Sequence, residues 1–567
     1  MIHGFGLVLF AVAWLLPGHY FPWSSFLQEV AAACGAALIG LSCLVRQREQ
    51  ALALPAVALI ALALAVVPMA QWGFGKVHFL NDALLPALYL VAFALVVVAS
   101  RALASDADSR FVPTLMAVLL LGACLSTVIA LGQGLRLGWQ TFVELLRDDG
   151  RPFANFTQPN LLATLLGLGL AATWWLYESR RADALGAWTL GLFLSLGLAM
   201  TQSRVGWAFM LLFVFSWAVK RRSLALRTSP AGMVAAVVSF LALAALWPTL
   251  SVAIDGSAVY GAAERVQSVG GRSVHWPAMW DAVWRQPLFG WGWMQVTAAQ
   301  QAVALDHPPA GEWISYSHSL LLDLLVWNGA VIGLLLIAGG AAWIVSRLRG
   351  CSDIDSWAML VAGGVIFTHA LVEFPYAYAH FLLPLAAFVG VVEARHRGAG
   401  SGSGPAITMP RFVFATLGLV LCAMLVWLWA DYAKIEEMGQ RTRFAEAGYR
   451  LPAERQAAVP DVLLIDSQRE FLRFRQTTAR VGMSPEELAN MRAISKRFTP
   501  PAVLLRYALA MGLNGEPAES TRTLRVLCQI WTEKNCEEGR EAWAKLQGQF
   551  PQLAAVPFPV PPRSATR

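Results

Sequence analysis

Apolar residues run along most of this chain in blocks of roughly 17 to 25 residues, the length a helix needs to cross a hydrocarbon core. The blocks fall at residues 3–17, 28–44, 51–69, 82–99, 112–132, 160–177, 185–201, 205–219, 230–247, 319–345, 356–372, 378–393 and 411–430. No long alternation of polar and apolar positions supports a barrel. The pattern predicts an all-α polytopic membrane protein of about thirteen transmembrane helices. The first block flows into PGHYFPW without a small-residue cleavage site, so it reads as a span and not as a cleaved signal peptide. One interval inside the membrane-like part stays weakly hydrophobic for long: residues 248–318, containing GGRSVHWPAMWDAVWRQPLFGWGW and closing on SYSHSLLL.

Composition agrees with the pattern. Hydrophobic residues make up 57% of the chain and charged residues 14%, with a mean hydropathy of +0.54, outside the range of ordinary soluble domains. A formal charge of +7 would suggest nucleic acid in a soluble protein. Here the basic residues lie in short loops, where they set orientation, so no nucleic-acid partner is expected and membrane lipids are. Arg46, Arg48, Arg101, Arg110, Arg180, Arg181, Lys220, Arg222, Arg347, Arg349, Arg395 and Arg397 fall on one side if thirteen spans alternate. The positive-inside rule makes that side cytoplasmic, with the N-terminus, and turns loops 133–159, 202–204, 248–318 and 373–377 outward.

These signals divide the chain into a membrane catalytic domain at 1–395 with its large outward loop at 248–318, a Gly/Ser linker at 396–410, a last transmembrane helix at 411–430 and an outward helical domain at 431–567. In the last, apolar positions recur every three or four residues, and a break at LNGEP suggests a tetratricopeptide-like hairpin. Such hairpins offer grooves for peptides, which makes the tail a candidate docking module. Of seven cysteines, Cys528 and Cys536 alone lie in the tail. A turn between them would permit a disulfide in an oxidising compartment, whereas one unbroken helix would hold them about 12 Å apart, too far to bond. The sequence leaves both arrangements open.

Candidate chemistry collects on the outward side. Arg204 sits in TQSRVGW and Arg272 in GGRSVHW. A lone guanidinium there is satisfied by lipid headgroups or an ion pair; two at one face suit a phosphate ligand, which the planar fork binds bidentately. His318 can accept a proton near neutral pH or can simply cap the following helix, and His19, His275 and His307 face the same way. In RPFANFTQPN, Asn155, Gln158 and Asn160 could bind sugar or diphosphate, with helix capping the simpler role for Asn160; the NFT sequon carries no weight. Glu373, Tyr376 and Tyr378 stand at the outward ends of two blocks, where a carboxylate normally pairs with a cation and tyrosines also serve as interfacial anchors. Asp148 and Asp149 lack partners at metal-binding spacing, and no HExxH, Walker loop or Rossmann glycine pattern occurs. Neither metal nor cofactor is expected, so the driving force must come from an activated substrate.

In this order, RPFANFTQPN, TQSRVG, GGRSVHWPAMWDAVWRQPLFGWGW, SHSLLLDLLVWNG and HALVEFPYAYAHFLLP resemble the O-antigen ligase and polysaccharide polymerase superfamily, most of all its pilin-type protein O-oligosaccharyltransferases. The resemblance implies a GT-C-like, metal-independent, inverting glycosyltransferase of the bacterial inner membrane. It would move an oligosaccharide en bloc from undecaprenyl diphosphate to a serine or threonine hydroxyl of a pilin-like periplasmic protein. It also implies roles: Arg204 and Arg272 neutralise the diphosphate, His318 activates the acceptor hydroxyl, and Arg151, Gln158, Asn160, Glu373, Tyr376 and Tyr378 position the substrates. The chain departs from the family pattern at Ala154, where glycine is common, and at Ser319, where asparagine is. A ligase to lipid A-core or a repeat-unit polymerase is the alternative within the superfamily. A lipid-linked glycan flippase is the alternative outside it, disfavoured because ionisable residues gather at one face instead of lining a path.

Overall fold

The computed structural model describes residues 1–19, 22–47, 50–138, 143–144, 150–255, 271–396, 407–446 and 458–559. Asp148, Asp149, residues 256–270 of the large loop and most of the Gly/Ser linker lie outside these. Helices occupy the apolar blocks: α1 (Ile2–Leu15), α2 (Phe26–Arg46), α3 (Ala56–Gly73), α4 (Leu80–Ser105), α5 (Phe111–Gly134), α6 (Pro159–Glu178), α7 (Ala184–Met200), α8 (Arg204–Lys220) and α9 (Pro230–Asp255). The large loop contributes α10 (Arg272–Arg285) and α11 (Val296–Val303), followed by α12 (Leu320–Gly350), α13 (Ile354–Ala370), α14 (Ala379–Arg395) and α15 (Arg411–Glu446). The polar tail forms α16 (Asp466–Gln476), α17 (Pro485–Arg497), α18 (Pro501–Leu513), α19 (Pro517–Ile530) and α20 (Glu533–Gln549). Among the described residues, eight helices, α2 to α6, α9, α12 and α15, have the length and apolar composition to cross a membrane. Helix α1, at 14 residues, and α7, α8, α13 and α14, at 17 each, are shorter. The chain is an all-α polytopic membrane protein.

One block edge differs from the pattern. Residues Ala51–Ala53 form a strand, β1, paired antiparallel with β2 (Thr408–Pro410), and helix begins only after Pro55. The residue before a proline is pushed out of helical conformation, and the partner strand takes up the hydrogen bonds an early helix would have used.

The chain divides into two compact units. The first takes residues 1–65, 88–268 and 340–425. Its core is a continuous apolar cluster including Trp14, Phe111, Trp175, Phe209, Trp357, Phe381 and Phe388, and α6 is the most enclosed of the long helices. That enclosure matters because α6 begins directly at the QPN motif.

The second unit takes residues 66–87, 269–339 and 426–567. Its organising feature is a break in α12 at Gly329, where φ is 81° and ψ 171°. A break frees backbone groups, which an apolar environment tolerates only if protein satisfies them. The PLFGWGW segment does so: Trp291 N–H donates to the Val326 carbonyl at 2.7 Å, Gly292 N–H to that of Trp327 at 3.2 Å, and Ala330 N–H to that of Pro287 at 2.7 Å. Gln71 Nε2 adds a bond to the Trp327 carbonyl at 2.9 Å. A Cβ on Gly290 would lie 2.4 Å from Gly329 N, and one on Gly329 2.6 Å from the Pro287 carbonyl, so both motif glycines are required by backbone contact.

The tail is built into this unit. Asp466 caps α4, accepting from Leu80 N–H at 2.8 Å and Asn81 N–H at 2.9 Å, and Arg497 Nε donates to buried Asp82 at 2.8 Å. Phe79 joins a core with Phe471, Phe474 and Phe498, while Ala304, Val526 and Ile530 form another with Trp313 and Trp531. Gln301 Nε2 reaches the Ser495 carbonyl at 2.7 Å. Helix α17 opens with a capping box between Ser484 and Glu487. Because the chain leaves helical conformation between α19 and α20, Cys528 and Cys536 come to a Cα separation of 4.7 Å and are disulfide-bonded.

Candidate active site

In the first unit, segments far apart in sequence are drawn together. Arg151 Nε donates to the Thr201 carbonyl at 2.9 Å, joining RPFANFTQPN to TQSRVG. Asn160 makes the second link: its Oδ1 accepts from Ser203 Oγ at 2.7 Å, and its Nδ2 lies 3.5 Å from Glu373 Oε1. Asn160 is therefore not a cap. Gln158 holds the N-cap position and Pro159 the first turn, so Asn160 is already inside α6, past the point from which a side chain can reach the free N–H groups. Gln158 is half-buried and its side chain makes no capping bond. Ser203 caps α8, which leaves Arg204 exposed as that helix's first residue.

Glu373 is buried at the end of α13. One turn earlier, His369 Nδ1 meets Thr164 Oγ1 at 2.7 Å, and Thr164 Oγ1 also donates to the Asn160 carbonyl at 3.1 Å. Tyr378 hydrogen-bonds the Thr157 side chain, and its ring stacks on Phe374 at 6.1 Å; Tyr376 occupies the short turn Pro375–Ala377 between them. Arg151, Asn160, Glu373 and Tyr378 thus belong to one cluster, with Arg204 beside it in sequence. Asn155 has a different use. Its Nδ2 donates to the Leu15 carbonyl at 2.7 Å, and its own carbonyl meets His19 Nε2 at 2.8 Å, anchoring the segment to the end of α1.

Ala154 stands at φ 50° and is fully buried. Gln133 clamps this strained turn, accepting through Oε1 from Phe153 N–H at 3.0 Å and Ala154 N–H at 2.8 Å and donating to the Ala154 carbonyl at 2.8 Å. A left-handed backbone is the conformation glycine adopts without cost, which accounts for the glycine common at this position of the motif.

In the second unit, Arg272 opens α10 and His318 lies just before α12. His318 also has a left-handed φ, 57°. Trp276 Nε1 donates to the Ser317 carbonyl at 3.0 Å, and buried Asp323 accepts from Ser317 N–H at 2.8 Å, so the turn is fixed from both sides. Strain of this kind in a non-glycine residue persists only where the surroundings enforce it. An open groove of about 520 Å³ runs beside the turn, lined by Arg272, Ser273, Trp276 and Ser319 and walled by Leu322 and Leu325. Three further histidines that the sequence offers have defined partners: His19 on Asn155, His275 on Glu312 at 3.2 Å, and His307 on Asp281 at 3.0 Å. Hydrogen bonding from Arg285, with His307 adding to it, holds the Asp281 carboxyl below its usual range.

Similarity to known proteins gives the chain's family. Residues 152–177 match a protein glycosylation ligase family, 189–338 an O-antigen ligase family and 357–543 the C-terminal part of virulence-factor membrane-bound polymerases. The chain is 30% identical over 433 residues to a general O-oligosaccharyltransferase of Acinetobacter baylyi, covering 75% of this chain and 74% of that protein. It is 27% identical over 327 residues to a ComP-specific O-oligosaccharyltransferase of the same organism, covering 57% and 58%. The chain belongs to the O-oligosaccharyltransferase family.

This O-oligosaccharyltransferase is a membrane glycosyltransferase that uses a lipid-linked glycan donor and a protein acceptor. Several residues that shape its two clusters escape a reading of sequence alone. Glu29 accepts from Ala379 N–H at 2.6 Å and Tyr89 O–H at 2.9 Å, and so caps α14 directly behind Tyr378. Its signal is a carboxylate inside an apolar run. Asp323 carries the same signal in SHSLLLDLL. His369 is flagged only by its four-residue spacing from Glu373, which places both on one helical face. Gln133 and Gln71 give weaker signals, since an amide near a span end is common.

Proposed function

We propose that this O-oligosaccharyltransferase transfers glycan en bloc from undecaprenyl diphosphate to a serine or threonine hydroxyl of a pilin-like periplasmic protein, with inversion at the anomeric carbon. The observation that carries the reading is the second unit's groove: Arg272 and the residue adjoining His318 line the same opening, whose walls beyond Ser273 are apolar or aromatic. A cation beside an apolar channel suits a diphosphate carried on a polyprenyl chain.

In the proposed reaction the His318 imidazole takes the proton of the acceptor hydroxyl while its oxygen forms a bond to the anomeric carbon. The bond from that carbon to the diphosphate oxygen breaks, and the electron pair leaves with undecaprenyl diphosphate. Arg272 and Arg204 neutralise the charge that develops on the leaving group, each as a preorganised donor. Arg151, Gln158, Asn160, Glu373, Tyr376 and Tyr378 hold the glycan or the acceptor.

All thirteen helices of the apolar blocks cross the bacterial inner membrane in this reading: 17 residues extend about 25 Å, and the 14 residues of α1 about 21 Å, with flanking residues completing the span. The N-terminus is cytoplasmic, the loop 248–318 and the tetratricopeptide-like tail 431–567 are periplasmic, and residues 396–410 link the catalytic part to its last span. The Cys528–Cys536 disulfide supports an oxidising compartment for the tail. The test is an assay in membranes with a lipid-diphosphate oligosaccharide and a pilin-like acceptor. Glycan on the acceptor, lost in His318→Ala and Arg272→Ala variants that still insert, is the expected result. Extension of lipid A-core, lengthening of the glycan, or movement of the lipid between leaflets without bond cleavage would each replace this reading.

A further inference from the structure

Helix α10 has two apolar faces, and among the described residues only one is covered. His275, Ala278, Met279, Ala282 and Val283 are buried in their unit. On the other side, Trp280, Trp284, Leu288 and Phe289 run from 50% to 68% exposed, Trp280 lowest and Phe289 highest. Trp276, Trp280 and Trp284 are spaced by four and so share one stripe, and the indoles of Trp280 and Trp284 meet edge to face at 5.8 Å. Beyond Arg272, which opens the stripe one turn before Trp276, charge is kept off it. Arg285 bonds Asp281 and Asp306 at 2.8 Å each, and His307 bonds Asp281 at 3.0 Å, so the helix's charged flank is tied down to the following segment.

Leaving such a stripe in water would forfeit the favourable transfer of each large apolar side chain out of water. Tryptophan favours a boundary where its ring is apolar and its N–H can find a polar partner, as at the headgroup level of a membrane. A lipid surface is also continuous with this face. Within the same unit, α12 is long and apolar enough to cross a bilayer and exposes Val331, Leu334 and Leu335. The groove walled by Leu322 and Leu325 joins the start of α12 to the Trp276–Trp280 side of α10.

We propose that α10 is an interfacial anchor: its tryptophan stripe, with Leu288 and Phe289, inserts into the headgroup–acyl boundary of the leaflet on the loop side. The groove headed by Arg272 then opens toward the lipid phase, and a lipid-linked donor enters it laterally without its chain crossing water. The entry step rests on the donor reading above; the anchoring does not.

The experiment places a nitroxide at Trp284→Cys and at Phe289→Cys, with Cys34, Cys43, Cys124, Cys351 and Cys422 replaced, in liposomes of phosphatidylethanolamine and phosphatidylglycerol. Power-saturation EPR compares oxygen with a water-soluble nickel chelate. Lys545→Cys on α20 gives the aqueous reference and Leu335→Cys on α12 the hydrocarbon reference. The expected oxygen-to-nickel accessibility ratio at 284 and 289 is several-fold above that at 545 and below that at 335. A ratio equal to that at 545 overturns the anchor, as does dipolar broadening showing a second copy on this face. Glycan transfer measured in the same liposomes separates the two readings. Transfer with an aqueous label leaves the function standing and removes the anchor, and an interfacial label without transfer does the reverse.

Discussion

The two compact units hold their candidate residues by different means. In the first, candidate side chains sit near the ends of long helices and are locked by a few direct bonds: Arg151 to Thr201, Asn160 to Ser203 and Glu373, Tyr378 to Thr157. In the second, Arg272 and His318 sit where a loop meets a broken helix, and the backbone there is completed by segments from elsewhere. PLFGWGW fills the break at Gly329, and the tail caps α4 and clasps α11. A cluster at helix ends depends on its immediate neighbours. One built on a loop depends on everything that braces the loop, so substitutions far from His318 should reach the chemistry in the second unit and not in the first.

The largest effect should come from His318→Ala. Loss of a general base typically lowers kcat about 10²–10⁴-fold, read here as glycan transferred per enzyme in liposomes with correct insertion confirmed. Asn160→Ala, in the first unit, should raise the apparent KM more than it lowers kcat. A kcat loss with Asn160→Ala exceeding that with His318→Ala would invert the division of labour between the units.

Next is the tail. Arg497 and Asp82 form an ion pair with side-chain exposures of 13% and 1%, so Arg497→Leu leaves a buried carboxylate without its cation, held by the Asn81 and Gln295 amides, a change that costs up to about 3–5 kcal/mol. Thermal unfolding should shift down sharply and proteolysis should open residues 271–339 before the first unit. Adding Asp82→Leu should restore much of the loss. A single variant as stable as wild type would show that the tail does not brace the loop.

Gly329→Ala tests the break itself. The new Cβ would fall within 2.7 Å of Pro287 and Leu288 backbone atoms at a positive φ, costing at least about 2 kcal/mol from conformation and overpacking together. The expected readout is lower thermal stability with transfer reduced in step. Unchanged stability would mean that α12 can run straight through this position.

What sequence made legible follows the range of the interactions involved. Every apolar block holds a helix, because length and periodicity are local properties. The edge at residue 51 was not legible, since the strand there depends on residues 408–410, more than 350 positions away. The break in α12 was hidden for the same reason: WNG lies in a continuous apolar run, and the segment that occupies the break comes some forty residues earlier. Motif order pointed to Arg151, Asn160, Arg272 and His318 through resemblance, but their bonds could not be read. Capping is the simpler expectation for Asn160 because helix ends usually need one, whereas its partners are Ser203, just before α8, and Glu373, just after α13. Glu29, Gln133 and Asp323 act on backbone N–H groups, which carry no signal in the residue code.

The smallest effect expected has a sign opposite to the others. Ala154 lies at φ 50° with Gln133 bonded to both its N–H and its carbonyl, so the turn is set by its surroundings and not by the residue's preference. A left-handed alanine costs roughly 1–2 kcal/mol, while glycine loses more chain entropy on folding, which returns part of that gain. Ala154→Gly should therefore stabilise the protein by about 1 kcal/mol or less, with kcat unchanged, in a thermal unfolding comparison. Because Ala154 is fully buried, removal of its methyl group also leaves a small void that works against the gain. A net loss of stability would mean that the methyl group's packing outweighs the strain. The left-handed turn would then be a consequence of the Gln133 clamp, and Gln133→Ala would be the substitution that releases the first unit's cluster.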